Sequence, residues 1–89
     1  MKTKTPSAAK FDWIAFGEFI AQRRQSLNIN QTDLALAIGR KQPDISTIER
    51  GKSRPNVDTL IRLAEALGMD PATVLARFQN KPRNSTGRQ

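Results

Sequence analysis

The feature that most constrains the fold of this chain is the stretch from Gln31 to Arg50, QTDLALAIGRKQPDISTIER, in which one glycine separates two short apolar patterns. The apolar residues fall on the faces that meet when two helices pack across a short turn: Leu34, Ile38, Ile45 and Ile48. Ala35 is small where the two helices approach, and Gly39 lies where the chain must reverse, with a positive φ expected. The stretch therefore predicts two packed helices joined at Gly39.

The rest of the body also has helical apolar spacing, and no segment alternates as a β-strand does. Polar caps and prolines predict where five helices begin: at Asp12, Asn30, Gln42 with Pro43, Asn56, and Asp70 with Pro71. The first helix is expected to run to about Leu27, with one side formed by Trp13, Phe16, Ile20 and Leu27. The fourth is expected to bury Val57, Leu60, Leu63, Ala64 and Leu67. The predicted fold is all-α, a compact five-helix bundle.

Two polar ends flank this body. Residues 1–10 and 79–89 contain prolines or glycine and no acidic residue, and they are predicted to be disordered basic tails around a domain of residues 11–78. They carry six of the basic residues, so most of the net charge of +7 belongs to them and the body is nearly neutral. Bulk charge therefore says little about the domain, and the positions of its cations matter more.

The composition excludes several chemistries. The chain has no Cys, so neither a disulfide framework nor a thiolate metal site is expected, and a cytoplasmic protein is indicated. It also lacks Tyr and His, and His is the commonest general base and metal ligand; we therefore expect no enzyme, no catalytic residue, no metal and no cofactor. No apolar run has membrane-spanning length, so no membrane partner is expected.

The third helix has an exposed face with a cationic border. Burying Ile45 and Ile48 turns Pro43, Thr47 and Arg50 outward. Basic residues cluster around this short helix: Arg40, Lys41, Arg50, Lys52 and Arg54. Such charges are often no more than a solvated loop. Because they border the outward face of one helix, they indicate a polyanionic partner.

Two blocks of the body form a pattern together: Gln31-Thr32-Asp33-Leu34-Ala35 through Gly39, and Ile45-Ser46-Thr47-Ile48-Glu49-Arg50-Gly51-Lys52 followed by Pro55. They resemble the lambda-repressor-like (Cro/XRE) helix-turn-helix family, and the resemblance covers residues 16–78. It implies that helices 2 and 3 form a helix-turn-helix, with helix 3 in the major groove of double-stranded DNA and helix 2 across the backbone.

The resemblance also implies roles for individual side chains. Gln31 is expected to donate to a phosphate, and Gln42 to pair its amide with adenine N6 and N7. Arg24 of helix 1 and Glu49 are expected to form a structural ion pair. The expected base contacts are Gln42, Pro43, Asp44 and Thr47. The expected phosphate contacts are Gln31, Arg40, Lys41, Arg50, Lys52 and Arg54.

Three residues depart from the family pattern. Arg40 stands where an apolar residue is usual, and we expect it to extend to a phosphate while its aliphatic stem covers the core. Pro43 and Asp44 occupy positions that small polar residues often hold. Asp44 has two equally weighted interpretations: it accepts a hydrogen bond from cytosine N4 and so selects sequence, or it caps the N-terminus of helix 3.

Two apolar groups also have alternative interpretations. Trp13, Phe16 and Phe19 could stack on bases, but their helical spacing favours the core. The residues Val74, Leu75 and Phe78 of helix 5 either complete the core or form an apolar strip for a second copy of the chain, and we favour the second interpretation.

The sequence therefore predicts a sequence-specific transcriptional regulator, most simply a repressor, that binds an inverted-repeat operator as a homodimer and so associates with the nucleoid. An antitoxin that regulates its own operon, or a restriction controller, would use the same module. The alternative from a different class is a protein-interaction adaptor whose basic surface is incidental.

Overall fold

Five α-helices form the body of the protein. The structure, a computed structural model, describes residues 10–80. The helices are α1 (Trp13–Ser26), α2 (Gln31–Ala37), α3 (Gln42–Glu49), α4 (Val57–Ala66) and α5 (Pro71–Arg77). The predicted all-α architecture and the order of its helices are confirmed.

Four of the helices begin at a polar side chain that accepts a backbone hydrogen bond from the residue three positions later. These cap residues are Asp12, Asn30, Asn56 and Asp70. Thr73 donates two hydrogen bonds to Asp70 that hold the pKa of Asp70 below its ordinary value. The bond from the Thr73 side chain has the larger effect and the bond from its backbone the smaller. The helix α3 differs, because its cap residue Lys41 makes no side-chain cap bond and Pro43 lies in the first turn. Proline leaves one fewer N–H in that turn to satisfy.

The core lies between the helices and contains apolar residues from all five of them: Phe16, Ile20, Leu34, Ala35, Ile38, Ile45, Ile48, Leu60, Leu63, Ala64, Leu67, Val74 and Phe78. Two side chains that we expected inside lie at the surface instead, since Leu27 is 39% exposed and Val57 is 61% exposed. Leu27 is the residue at which the chain leaves α1. Val57 is the first residue of α4, so no preceding turn of that helix covers it.

A glycine in the middle of α1 allows α1 and α3 to touch through their backbones. A Cβ atom on Gly17 would collide with the backbone oxygen of Ile48 and would lie 2.7 Å from that of Glu49. Glycine in a helix interior costs about 0.5–1 kcal/mol relative to alanine. The close approach explains why the position is glycine despite that cost, and it brings the end of α3 against the same side of α1 that carries Arg24 two turns later.

The two ends of the described chain form an antiparallel pair of two-residue strands, which the sequence analysis did not predict. In this pair β1 (Lys10–Phe11) lies beside β2 (Gln79–Asn80), and the backbone N–H of Asp12 donates to Phe78 O at 2.7 Å. Strands this short carry no alternating pattern to detect. Lys10, Gln79 and Asn80 were assigned to the tails and belong to this pair, and the rest of both expected tails lies outside the described residues.

Replacing Gly17 by alanine should lower the free energy of unfolding by about 1–3 kcal/mol, the usual cost of overpacking a closely packed contact. Urea denaturation measures the change, and Glu18→Ala on the exposed side of α1 is the control, expected within about 0.5 kcal/mol of the parent protein. A Gly17→Ala protein as stable as the parent would show that α1 and α3 do not approach so closely.

Candidate nucleic-acid interface

The helices α2 and α3 form one packed unit around the turn at Gly39. Gly39 has φ of 73°, as expected for the reversal. The backbone N–H of the next residue, Arg40, donates to Ala35 O at 2.8 Å and so closes the end of α2. Leu34 and Ile38 of α2 share the core with Ile45 of α3. The unit therefore holds the first turn of α3 at the surface, where Lys41, Gln42 and Pro43 are exposed.

A buried ion pair fixes the end of α3 to α1. The guanidinium of Arg24 donates through Nε to Glu49 Oε2 at 2.7 Å and through Nη2 to Oε1 at 3.1 Å. Its third contact, from Nη1 to the backbone oxygen of Ile29 at 2.8 Å, reaches the loop before α2. Both residues are only 9% exposed. The hydrogen bonds that Arg24 donates to Glu49 raise the pKa of Arg24 and outweigh the opposite effect of burial, so the arginine stays charged.

Two glutamines connect this ion pair to the exposed face of α3. Gln31 Nε2 donates to Glu49 Oε1 at 2.9 Å, and Gln42 Nε2 donates to Gln31 Oε1 at 2.7 Å. A carboxylate only accepts hydrogen bonds. Gln31 must therefore turn its amide nitrogen towards Glu49, and its oxygen is left to accept from Gln42. The charge of Glu49 thus determines which way both amides point.

The direction of these bonds determines what Gln42 presents to solvent. One N–H of its amide is bonded to Gln31, while the other N–H and Oε1 have no bonding partner among residues 10–80. A free donor beside a free acceptor is the arrangement that pairs with N7 and N6 of adenine in the major groove. We expected Gln31 only at a phosphate, and the hydrogen bonds that orient Gln42 through it were not foreseen.

Arg40 and Asp44 form a second, exposed ion pair at the start of α3. Arg40 Nε lies 3.3 Å from Asp44 Oδ2. We expected Arg40 to extend to a phosphate, and Asp44 either to contact a base or to cap the helix. The cap residue Lys41 makes no side-chain cap bond, and the Asp44 carboxylate faces Arg40. Opposite charges four residues apart are typical of an ion pair on a helix, so the sequence contained the signal for this contact, and the sequence analysis did not include it.

The outward face of α3 contains fewer free polar groups than its sequence suggests. Thr47 Oγ1 donates to the backbone oxygen of Asp44 at 2.9 Å, so its methyl group and the acceptor side of its hydroxyl oxygen are the parts left for a partner. Arg50 Nε donates to the backbone oxygen of Ser46 at 3.3 Å, which holds the guanidinium stem along the helix. Pro43 presents only apolar ring atoms. Gln42 is therefore the best placed hydrogen-bonding group on this face.

Cations border the face at both ends of α3. Lys41 precedes the helix, and Lys52 and Arg54 follow it in the loop after Gly51; all three are exposed. None of the three forms an ion pair with an acidic residue within residues 10–80. The loop is fixed to α3, because the backbone N–H of Lys52 donates to Thr47 O at 2.9 Å. Their charge is therefore available to an anionic partner.

The aromatic residues of α1 pack on each other and on Phe78. Phe16 is buried, with its ring centroid 5.8 Å from that of Phe78, and the Phe19 centroid lies 5.1 Å from the same ring. Trp13 is half-buried beside Phe11, with 4.5 Å between centroids. The rings form an aromatic corner of the core, and this arrangement favours the structural interpretation over base stacking.

The apolar strip proposed on helix 5 is mostly buried. Val74 and Phe78 are 5% and 8% exposed, because the inward side of α5 packs on α1 and α4. Of the three residues only Leu75 reaches the surface, where it lines an open apolar groove of about 690 Å³ together with Phe11, Trp13, Val57 and Leu60. The interpretation of Val74 and Phe78 as interface residues was therefore wrong.

Within residues 10–80 no helix combines the length and the apolar character needed to cross a bilayer. The same residues contain no group of three or more acidic side chains that could hold a metal ion.

Comparison with known proteins relates this geometry to a family. A family model described as helix-turn-helix matches residues 20–74. A protein of Haemophilus influenzae named as an uncharacterized HTH-type transcriptional regulator is 40% identical over 57 residues, which cover 64% of this chain and 58% of that protein. The matched part is between 44% and 58% of the length of the first curated relatives.

Solved structures with the same arrangement include two regulators. The P22 c2 repressor, solved in complex with a synthetic operator, superposes with a TM-score of 0.63 at 37% identity, over 67% of this chain and 91% of that chain. The restriction-modification controller protein C.AhdI from Aeromonas hydrophila superposes with a TM-score of 0.66 at 25% identity, over 71% and 91%.

Proposed function

The chain belongs to the helix-turn-helix family, as its two residue blocks predicted, and on this premise we propose that it is a sequence-specific DNA-binding regulator of transcription. The observation that carries the proposal is the orientation of Gln42. Its amide is exposed, is held by Gln31, and has one donor and one acceptor free towards solvent. This preformed pair suits adenine in the major groove.

In this proposal α3 lies in the major groove and α2 lies across the backbone. Gln42 contacts an adenine, while the methyl group of Thr47 and the ring of Pro43 meet apolar base edges such as the thymine methyl. Phosphates are bound by Lys41, Lys52 and Arg54, with Arg50 at the end of α3 and the second N–H of Gln31 contributing further contacts. The buried pair of Arg24 and Glu49 touches no DNA and holds the contacting elements in place.

We further propose that the chain acts as a homodimer on an inverted repeat, with half-sites about 34 Å apart. The groove around Leu75 is the apolar surface that supports this, since Trp13 and Val57 also expose apolar atoms there. A second copy related by a two-fold axis would bring the same groove to both sides of the contact. The regulator is then an intracellular protein that acts at the chromosome.

Several kinds of DNA-binding regulator would fit this function. A repressor and a restriction controller both have solved relatives with this fold. An antitoxin that regulates its own operon would use the same surface. A protein-interaction adaptor is the alternative of a different class. Lys41 and Lys52 argue against it, because they flank the exposed face of α3 and do not line the apolar groove around Leu75.

Duplex binding should be saturable and should weaken steeply with salt. The four cations assigned to phosphates in each protomer imply about eight phosphate contacts in a dimer, so affinity should fall roughly ten-thousandfold between about 50 and 200 mM salt. Fluorescence anisotropy with labelled duplex DNA measures this. An adaptor would give no saturable complex, and that result would reject the proposed function.

Gln42→Ala and Lys52→Ala should have different effects on specificity. Removing the amide should cost about 1–3 kcal/mol of discrimination at one base pair in each half-site and leave the others unchanged. Removing the lysine should weaken binding to all sequences alike and reduce the salt slope by about one unit per half-site. Competition between single-base operator variants makes the comparison.

The control is Gln25→Ala, which removes an exposed amide on α1 and should change neither property. If Gln42→Ala and Lys52→Ala both behave like this control, the assignment of contacts to α3 and its loop is wrong.

A further inference from the structure

The ion pair between Arg40 and Asp44 has no counterpart in the family pattern, and its geometry gives it a distinct role. Arg40 Nε and Asp44 Oδ2 are 3.3 Å apart, and the two side chains are 44% and 47% exposed. Solvent screens a pair this exposed, and both side chains lose rotamer freedom when they form it. The pair therefore adds little to stability, and its main consequence is the orientation of the guanidinium.

The orientation leaves one end of the guanidinium free. Arginine presents five N–H donors in a fixed plane. The recorded contact with Asp44 is at Nε, so within residues 10–80 the two terminal nitrogens of Arg40 are left as a planar fork of donors. Within residues 10–80, Asp44 is the one carboxylate that pairs with Arg40. Such a fork matches two adjacent acceptors, and O6 and N7 of guanine are the commonest bidentate partners of arginine in the major groove.

The pair lies at the start of α3, where Gln42 is also exposed. Arg40 is two residues before Gln42, and both belong to the exposed surface at the first turn of α3. Asp44 lies in the first turn of α3, two residues after Gln42, which we assign to an adenine. Pro43, between them, has no side-chain donor that could compete for the same base.

The charges of the pair also complement each other near DNA. An isolated carboxylate at Asp44 would be repelled by phosphates, and a neutralising arginine offsets that repulsion. A carboxylate engaged with Arg40 is less free to accept from cytosine N4. The arrangement thus favours one function for both residues together, in which the arginine makes the contact and the aspartate orients it.

We propose that Arg40 contacts a guanine next to the base pair recognised by Gln42, and that Asp44 is a positioning residue for its fork. This rests on the proposed function of the chain as a DNA-binding regulator. It changes Arg40 from a general phosphate contact into a residue that determines sequence specificity.

The test uses duplexes that carry 7-deazaguanine, which lacks N7 and keeps O6. The operator is first obtained by selecting bound fragments from random duplex DNA with the purified full chain. Each guanine of a half-site is then replaced in turn, and affinity is measured at constant salt. For the parent protein we expect one guanine at which the replacement costs roughly tenfold in affinity.

Two conservative variants locate the cause of this loss. Arg40→Lys keeps the charge but removes the planar fork, so its affinity should no longer depend on N7 at that guanine. Asp44→Asn should reduce the N7 dependence several-fold while its affinity for unrelated duplexes stays equal or rises, because a negative charge near phosphates is lost. Gln25→Ala, on the exposed surface of α1, is the control and should keep the full dependence on that N7.

Several outcomes would overturn the inference. An unchanged N7 dependence in Arg40→Lys would exclude the guanine contact. A uniform loss across all sequences in that variant would make Arg40 a phosphate contact. Loss of a cytosine preference in Asp44→Asn would make the aspartate a base contact itself. Absence of any saturable complex with the parent protein would instead reject the proposed function, which keeps the two failures distinguishable.

Discussion

The rest of this structure depends on the buried pair of Arg24 and Glu49. Within residues 10–80 it is the one place where α1, the loop before α2 and the end of α3 are held together by a single side chain, through contacts of 2.7–3.1 Å. Gly17 makes the pair possible, because its missing Cβ lets the α3 backbone approach α1. A buried ion pair is not by itself a gain in stability, since desolvation opposes the attraction. What it provides is a fixed geometry, because removing either partner leaves an uncompensated charge inside.

Two hydrogen bonds with a defined direction connect this buried pair to the surface. Glu49 can only accept, so Gln31 donates to it, and Gln42 donates to Gln31. The amide on α3 is therefore oriented before any partner arrives, and less rotamer freedom is lost on binding. Arg40 and Asp44 apply the same principle at the surface, where a carboxylate again orients a donor group. In the complex we propose, a buried carboxylate orients the side chain assigned to adenine, and an exposed carboxylate orients the arginine assigned to guanine.

The parts of this description that depend on local sequence could be predicted from the residues themselves. Tertiary contacts between side chains were predicted only where the family resemblance implied them, as for the pair of Arg24 and Glu49. Caps such as Asp12 and Asn30 act within one turn, and Gly39 is needed by its own backbone angle, so each is visible in the sequence. The contact of Gly17 with α3, the pairing of the strands at the chain ends, and the bond from Gln31 to Glu49 join residues far apart in the chain. Leu27 and Val57 fit an inward helical pattern and still lie at helix ends, where no neighbouring turn covers them. The ion pair of Arg40 and Asp44 could have been predicted from the sequence, because its partners are only four residues apart.

A double-mutant cycle on the buried pair, measured as free energies of unfolding in urea, tests the central claim most directly. Arg24→Met leaves Glu49 buried without its partner and should cost about 3–5 kcal/mol, up to loss of the folded state. The double variant Arg24→Met, Glu49→Met has no buried charge and should be more stable than the Arg24→Met protein alone. It should also have lost the fixed orientation of Gln31 and Gln42, and with it the preference for one base. If the two changes simply add, or if Arg24→Met lies within about 0.5 kcal/mol of the parent protein, the pair does not hold the structure together.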